Sequence, residues 1–534
     1  MTEHFTSEER TILARYFTNV DRPVFALVNL PEVVKAALFA RYSRSPKSLR
    51  RLFLDEFLND NTTAEEAPHA VGIARAERLF DRVLTEFGDD SVAQLGGVHL
   101  ACEGVSNIST KLLEWGRLMA YLEQSTRYVP YTDRPDGKWK YYLPEEIDSP
   151  DLQNRCRSVL DSAFQTYSSW LEPLMTFYSQ TYPKSPSDTE AVYRASIRSK
   201  ALDTLRGLLP AATKSNVGLF GAAQAYEQLL LRLRATPLTE ARVLADAILS
   251  ELNQVIPAFL KRVELPNRGG AWVRYLSDTH TRTKEVAQTI AFDSEGGPND
   301  VTLTEYDPEG ETKVVAAALY SVSRLSDAEL LEHARRMTVE QRHAVLSAYI
   351  GDRTNRRHKP GRAFERTSYR FDIVSDYGAF RDLQRHRMLT LEWQLLSCGH
   401  GYITPEAIKE VGALEEWRRA MNDAAQLYEA VATAVSPEVA QYVVPMAYRI
   451  RFYMHFNARE AMHILELRTT PQGHPSYRRI CQEMHRLITT EAGHVAVGAA
   501  MKFVNFESVG LERLESERLG EKKRNALNQT LESS

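Results

Sequence analysis

The stretch LQRHRMLTLEWQLLS, residues 383–397, places two arginines and a histidine in succession among mostly apolar residues. Apolar residues lie on nearly all sides of a helical wheel, which predicts a long buried helix over residues 377–396. Three consecutive side chains span about 200° of a helix, so Arg385, His386 and Arg387 cannot all reach solvent on one face. At least one of them needs an anionic partner, either a nearby Asp or Glu or a bound phosphate or carboxylate group.

Composition indicates a globular protein without a general charge bias. The chain has 534 residues, 43% of them hydrophobic and 25% charged, and its net charge of −4 comes from 66 basic and 70 acidic residues. This length allows two or more domains. The charge produces no field that would attract nucleic acid or an anionic membrane, so nucleic acid is not an expected partner. Any anion binding must be local.

The sequence shows no targeting or membrane signal. The N-terminal segment MTEHFTSEER lacks a secretory pattern, and no stretch approaches 18 uninterrupted apolar residues. We therefore expect a cytoplasmic protein. Four cysteines, Cys102, Cys156, Cys398 and Cys481, lie far apart without the paired spacing of a zinc or redox site, and they are expected to be buried free thiols.

Three pairs of segments recur in the same order along the chain, which indicates an internal duplication. The distance between matched segments differs from pair to pair, so insertions and deletions have accumulated in both copies. We therefore predict two tandem copies of one folding unit. The matched pairs are EVVKAALFARYSRS (32–45) with KVVAAALYSVSRLS (313–326), 103–129 with 371–402, and 208–237 with 443–471.

The second copy keeps basic residues that the first copy has lost. Arg385, His386 and Arg387 are intact, whereas the matching place in the first copy reads WGR, residues 115–117. Downstream, the second copy reads NAREAMHILELR over residues 457–468, and the first copy has neither the asparagine nor the first arginine of this stretch. The losses in the first copy are therefore selective.

The first copy in turn keeps residues that the second copy has lost. The stretch LEQSTRY contains Glu123, Ser125, Arg127 and Tyr128, where the second copy reads GHGY. The first copy also has Arg206 in RGLLP, where the second copy has glutamine. The two copies have thus lost complementary parts of one motif.

Arg-His-Arg, followed after seven residues by Ser-x-Arg-Tyr, resembles the signature of the flavin-dependent thymidylate synthases. The Asn-Ala-Arg helix ending in Leu-Arg resembles a later segment of that family. The resemblance covers roughly residues 30–265 and 300–500. It implies an α+β fold in each copy, a twisted β-sheet packed with long helices. Since the family's enzymes are homotetramers with sites at subunit interfaces, it also implies a homodimer that forms a pseudo-tetramer.

The resemblance also implies a division of site residues between the copies. Arg468 would polarise the pyrimidine, and Ser125 would hydrogen-bond near the nucleotide, so these two are the residues expected to act in catalysis. The positions that match the family's flavin side are Arg385, His386, Arg387, Asn457, Arg459 and His463. The positions that match its nucleotide side are Glu123, Ser125, Arg127 and Arg206.

The activity implied by the resemblance is methylation at C5 of dUMP or a related uracil nucleotide. Methylenetetrahydrofolate would supply the carbon, NADPH the electrons and FAD the redox chemistry, with no metal. Several positions depart from the family, because Asp382 lies where a glutamine is usual, Gln94 and Leu95 replace a Glu-His pair, and Thr390 replaces a serine. A catalytically inactive homologue that binds flavin and nucleotide is therefore an alternative.

A second alternative belongs to another class of protein. Glu460 with His463, and Glu491 with His494, form two Glu-x-x-His pairs, a spacing used by helical di-iron proteins. Such a site needs two further carboxylates from other helices, and the sequence does not indicate them.

The duplication predicts the domain boundaries. We expect a first repeat over residues 1–265, a linker over 266–300, a second repeat over 301–509 and a charged C-terminal tail over 510–534. The turn residues DPEG at 307–310 predict a β-hairpin at the start of the second repeat.

Overall fold

The structure is a computed structural model that describes residues 4–42, 45–58, 94–290, 299–508 and 510–532. The chain divides into two compact units, and each is described by itself. The small unit comprises Met1–Glu103, Leu112–Glu123 and Asn216–Asp293, and the large unit comprises Gly104–Lys111, Gln124–Ser215 and Ser294–Ser534.

The strands of the described residues form two sheets with related topology. The strands are β1 (Gly97–Ser106), β2 (Met119–Glu123), β3 (Lys214–Ala222), β4 (Val301–Tyr306), β5 (Ser368–Asp376), β6 (Thr390–Trp393) and β7 (Arg449–Asn457). One sheet has the order β1-β3-β2 and the other β4-β5-β7-β6. The orders β1-β3-β2 and β5-β7-β6 correspond, and a helix follows directly after both β3 and β7. The predicted α+β class and the duplicated fold are confirmed.

Helices account for most of the remaining described residues. Those of the small unit are Ser7–Tyr16, Glu32–Tyr42, Leu49–Leu52, the short π-helix Phe53–Phe57, Ala223–Ala235, Thr239–Leu252, Pro257–Glu264 and Gly269–Gln288. The helix Asn107–Leu113 has residues in both units. Those of the large unit are Pro150–Ser169, Leu171–Thr181, Glu190–Leu205, Gly310–Tyr320, Asp327–Arg336, Val339–Ile350, Tyr377–Leu383, Glu406–Glu410, Leu414–Ala434, Pro437–Ala440, Ala458–Arg468, Pro475–Thr490, Val495–Ala500 and Leu514–Glu532, with 3-10 turns Pro135–Gly137, Arg206–Leu208, Arg362–Arg366 and Gln441–Val443. None of the described helices is both long and apolar enough to cross a membrane.

The core of the large unit lies on one face of its sheet. β7 alternates buried and partly exposed residues, as a strand with one face on a core should. Phe371 of β5 pairs with Met454 of β7, and both are fully buried. The aromatic rings of Phe371 and Phe456 stack with centroids 5.6 Å apart. The helix Pro475–Thr490 packs against β4 and β5, which positions the turn that precedes this helix.

The predicted long helix over residues 377–396 is wrong. The helix Tyr377–Leu383 ends before the basic residues, a turn follows, and Thr390–Trp393 forms β6. β6 pairs with β7, and Leu391 faces Met454 in this pairing. A short apolar run fits a buried strand as well as a buried helix, and here the pairing with β7 decides between them.

Residues 307–310 do not form the predicted β-hairpin, because β4 leads directly into the helix Gly310–Tyr320. The stretch predicted as a charged tail contains the helix Leu514–Glu532. Residues 124–215, which fall in the first predicted repeat, lie in the large unit together with the second. The repeat boundaries themselves stay a prediction.

Candidate functional site

The candidate site lies where β5 runs into the helix Tyr377–Leu383. Asp376 begins this helix, since its Oδ1 accepts a hydrogen bond at 2.9 Å from a backbone N–H three residues on. Asp382 lies in the last turn of the helix, and Arg385 and His386 follow it before β6. The end of the helix therefore places acidic and basic side chains close together.

Asp382 is the anionic centre of the site. Its Oδ1 accepts hydrogen bonds from Nη2 of Arg385 at 2.5 Å and from Nη1 of Arg468 at 3.4 Å. Its Oδ2 lies 3.8 Å from Nη1 of Arg206. Burial would raise the pKa of this carboxyl, but the guanidinium groups outweigh burial and hold the pKa well below its ordinary value. Since Arg206 comes from the first predicted repeat and the other two arginines from the second, residues of both repeats meet here.

Arg206 is buried with an unused hydrogen-bond donor. Its side chain is 5% exposed, and Nη2 has no partner among the described residues. Gly378 makes room for this side chain, because a Cβ at that position would lie 3.0 Å from Nε and Nη2 of Arg206. A buried donor without an acceptor costs free energy, more so on a charged group. Nη2 of Arg206 is therefore available to an acceptor oxygen of water or of a ligand.

Arg127 is held by a buried ion pair with Asp203. Its Nε lies 2.6 and 2.8 Å from the two carboxylate oxygens, and Nη2 lies 2.5 Å from Oδ2. Nη1 donates to the carbonyl oxygen of Gln472 at 3.2 Å and lies 3.4 Å from the hydroxyl of Tyr477. Burial would lower the pKa of Arg127, but the carboxylate outweighs burial and raises it. Arg127 thus ties the helix Glu190–Leu205 to the turn that precedes Pro475–Thr490.

His386 fixes the orientation of Arg468. Nε of Arg468 donates a hydrogen bond to Nε2 of His386 at 2.9 Å, so the proton of the neutral ring lies on Nδ1. Burial, together with the charge of Arg468, lowers the pKa of His386 well below its ordinary value. Nδ1 lies 3.8 Å from Oε1 of Glu460, on the helix Ala458–Arg468.

Two further titratable side chains of that helix face His386. Burial raises the pKa of Glu460 to about 7, and burial lowers the pKa of His463 to about 4. The rings of His386 and His463 are 5.6 Å apart between centroids. Lys359 opposes the first shift and adds to the second, which indicates that positive charge surrounds this part of the site.

The cluster around Asp382 has an excess of positive charge. The four arginines at positions 127, 206, 385 and 468 outnumber Asp203 and Asp382, the described carboxylates that pair with them. His386 and His474 do not change this at pH 7, because burial keeps their pKa values well below the ordinary value. A dianion such as a phosphate monoester would balance the charge and supply oxygen acceptors.

The chain matches a known protein family over most of its length. The family described as "Thymidylate synthase complementing protein" matches residues 31–258 and 302–492, which together make up most of the sequence. The chain belongs to this family. Its match in two separate regions agrees with a tandem, divergent homologue, and the resemblance to flavin-dependent thymidylate synthases is confirmed.

Proteins similar to this member of the thymidylate synthase complementing family differ in how much of the chain they match. A UPF0159 protein of Chlamydia muridarum is 40% identical over 520 residues, which are 96% of this chain and 98% of the relative. A flavin-dependent thymidylate synthase of Clostridium tetani is 26% identical over 183 residues, which are 34% of this chain and 68% of the relative. A crystal structure of the UMP/dUMP methylase PolB of Streptomyces cacaoi, bound with 5-Br dUMP, is 20% identical with a TM-score of 0.31, and the match covers 37% of this chain and 94% of that chain.

Some predicted flavin-side residues of the family member have structural partners. Asn457 caps the helix Ala458–Arg468 by accepting a hydrogen bond from a backbone N–H three residues on. Arg459 donates to the carbonyl oxygen of Pro360 at 3.0 Å and lies 3.4 Å from a carboxylate oxygen of Glu365. Arg387 is exposed. Their assignment to flavin binding stays a prediction.

The nucleotide-side residues are also placed differently from one another. Ser125 accepts a hydrogen bond at 3.2 Å from the backbone N–H of Arg127, within the turn after β2. Glu123 is buried at the end of β2 and belongs to the small unit. The predicted residues that the structure gathers around Asp382 and His386 are Arg127, Arg206, Arg385, His463 and Arg468.

The di-iron alternative requires the two Glu-x-x-His pairs to form one metal site, and among the described residues the structure brings together only one of them. Potential ligand atoms of His386, Glu460 and His463 all lie within 4.8 Å of one another. Both ring nitrogens of His494 are engaged elsewhere, one with the hydroxyl of Tyr369 at 2.7 Å and the other with the carbonyl oxygen of Asp307 at 2.9 Å. Within the described residues, the two Glu-x-x-His pairs do not form one metal-binding group.

The surroundings of the three-residue group also disfavour a cation. Arg468 occupies Nε2 of His386, so a metal could bind only at Nδ1, in place of the ring proton. Positive charges of Lys359, Arg459 and Arg387 act on Glu460. This part of the site therefore suits an anionic ligand better than a metal ion.

Sequence reasoning missed several residues of the cluster. Asp382 drew attention only as a departure from the family, although its position three residues before Arg385 is the spacing of an ion pair on a helix. Asp203 and Tyr477 had no signal, because their contacts with Arg127 join segments far apart in sequence. His474 lies in a turn, and its burial is visible only in the folded chain.

Proposed function

We propose that this protein is an FAD-dependent enzyme that methylates C5 of dUMP or a related uracil nucleotide, with methylenetetrahydrofolate as carbon donor and NADPH as reductant. Membership of the thymidylate synthase complementing family supports the reaction class. Nucleotide binding rests on Arg206, whose buried Nη2 has no partner among the described residues. It lies in a cluster whose arginines outnumber the described carboxylates that pair with them. A nucleotide monophosphate supplies both the negative charge and the acceptor oxygens.

Arg468 is the side chain best suited to orient the pyrimidine. Its Nε is held by His386 and its Nη1 by Asp382. A guanidinium group fixed in this way can polarise a ring carbonyl without moving as charge develops, which favours attack from C5. Ser125, in the turn beside Arg127, would hydrogen-bond to the nucleotide without acting as a nucleophile.

The basic surroundings of Glu460 and His463 suit the phosphates of FAD. Charges of Lys359 and Arg356 act on His463, and neither basic side chain forms an ion pair within the part of the chain that the structure describes. Together with Arg387 and Arg459, they provide a positively charged wall for a diphosphate group. When bound there, FAD would supply the redox chemistry, and the residues of this wall would hold and orient it.

The proposed assembly is a homodimer. Each chain contains two copies of the fold, so two chains would supply the four copies of a pseudo-tetramer. The oligomeric state is measurable by light scattering, and a monomer at working concentration would contradict this part of the proposal.

Tritium release from C5 of labelled dUMP tests the reaction. Purified protein with the folate donor and NADPH should release tritium and should show flavin absorbance, and Arg206→Ala should abolish release. Arg234→Ala is the matched control, because Arg234 pairs with the exposed Asp246 in the small unit. Flavin without tritium release would identify the inactive homologue, and absence of both from the protein would refute the proposal.

A further inference from the structure

The C-terminal segment brings another arginine to the turn that contains Ser125. This segment follows residue 492, where the family match ends. The guanidinium carbon of Arg513 lies 3.9 Å from the centroid of the Tyr128 ring, in the position of a cation–π contact. Arg127 lies one residue before this tyrosine, so two arginines from distant parts of the chain meet at one turn.

Arg513 forms no ion pair with a carboxylate of the described chain. Its Nε is buried without a hydrogen-bond partner among the described residues. Burial, and next the charge of Arg127, lower the pKa of Arg513 to about 10, and the charge of Glu517 opposes this shift without outweighing it. A partly buried cation beside a second cation is unfavourable unless an anion compensates it.

The segment around Arg513 is anchored to the rest of the large unit. Glu512, the preceding residue, accepts a hydrogen bond from Nζ of Lys200 at 2.7 Å, and its side chain is 6% exposed. Arg518 donates to both carboxylate oxygens of Asp188, at 2.6 and 3.0 Å. These contacts lie on either side of Arg513 and hold it in place. Its position beside Tyr128 is therefore defined before any ligand binds.

We propose that Arg513 binds a phosphate group of the nucleotide beside Arg127, so that the C-terminal segment completes the nucleotide site. This inference rests on the nucleotide binding proposed above. Each guanidinium nitrogen of Arg127 already has a partner, which is Asp203, Gln472 or Tyr477. Arg513 is the basic group at this turn with a buried donor still unused. Its planar fork matches the oxygens of a phosphate.

Calorimetric titration with dUMP, deoxyuridine and inorganic phosphate tests the inference. Arg513→Ala should weaken dUMP binding by about 10- to 100-fold, the usual effect of losing hydrogen bonds to a charged group. It should leave deoxyuridine binding unchanged, because that nucleoside has no phosphate. Arg513→Lys should keep part of the dUMP affinity, since it keeps the charge but not the fork.

The matched control is Lys522→Ala, which removes one positive charge from an exposed position on the helix that follows Arg513. This variant should bind dUMP like the wild type, and thermal unfolding should show that all variants fold. Equal dUMP affinity of Arg513→Ala and the wild type overturns the inference.

Failure of the proposed function gives a different result. If the wild type does not bind dUMP at all, the proposed substrate is wrong. The binding of inorganic phosphate then shows whether Arg513 belongs to an anion site. Phosphate binding that is lost in Arg513→Ala supports an anion site at this turn. Phosphate affinity that is the same in both proteins overturns it.

Discussion

Arg468 donates a hydrogen bond from Nε to Nε2 of His386 at 2.9 Å, so a neutral histidine holds the arginine expected to contact the pyrimidine. The histidine stays neutral because burial lowers its pKa well below the ordinary value. A charged imidazole would present a donor to Arg468 and break the bond. The site thus depends on His386 as an acceptor, and this dependence can be tested.

Replacement of His386 should disturb binding through Arg468. His386→Leu removes the acceptor and should weaken dUMP binding by about 10-fold, the loss expected for one hydrogen bond to a charged group. His386→Gln keeps an acceptor near the position of Nε2 and should retain more of the affinity. Calorimetric titration measures both, and equal losses in the two variants would show that the acceptor is not what matters.

Replacement of Glu460 should change how stability depends on pH. The pKa of Glu460 is raised to about 7 in the folded chain from 4.5, chiefly by burial. The folded state therefore binds the proton more tightly, and the contribution of this group is fully present below pH 4.5 and lost as pH rises through 7. Relative to the wild type, the free energy of unfolding of Glu460→Gln should rise by on the order of 3 kcal/mol between pH 4 and pH 8. Urea unfolding at several pH values measures the difference.

His463 provides a comparison of opposite sign. Its pKa is lowered to about 4 from 6.5 by burial, so its contribution is present above pH 6.5 and lost as pH falls through 4. The stability of His463→Asn relative to the wild type should therefore increase as pH falls, whereas that of Glu460→Gln should increase as pH rises. The same slope in both variants would contradict the environments assigned to these two residues.

A methyl group at position 378 should act on ligand binding more than on stability. Gly378→Ala would place a Cβ 3.0 Å from the guanidinium nitrogens of Arg206 and displace that side chain. Alanine favours a helix by about 1 kcal/mol over glycine, which offsets much of the strain. We expect about a 10-fold loss of dUMP affinity from the displaced charge-assisted contact. Gly399→Ala, whose Cβ would meet only Ser397 at 3.6 Å, is the control and should leave dUMP affinity unchanged.

Loss of the buried carboxylate beside Arg127 should destabilise the large unit. Asp203→Asn leaves a guanidinium group buried without its charged partner, and breaking such a pair costs about 3–5 kcal/mol. Asp246→Asn breaks an ion pair of similar length whose carboxylate is 68% exposed, and should cost less than about 1 kcal/mol. The free energies of urea unfolding should differ accordingly, and similar values for the two variants would refute the assigned burial.

Much of the architecture could be predicted from the sequence because the duplication repeats short local patterns. The matched helices Glu32–Tyr42 and Gly310–Tyr320 have similar sequences, and an apolar pattern of that length determines a helix locally. The secondary structure of the residues after β5 is harder to predict from the sequence. The apolar run from 389 to 396 fits a strand or a helix, and only its pairing with β7 makes it a strand.

The sequence by itself determined the family, the duplicated α+β fold and the chemical types of the site residues, because motifs and local patterns are properties of adjacent residues. Only the tertiary structure decided which of these residues meet. Arg206 and Arg468 reach one carboxylate, Asp382, although they lie 262 positions apart in the chain. Arg513 reaches Tyr128 from beyond the family match. Such contacts depend on how distant segments pack, and burial then sets the charge state of each group.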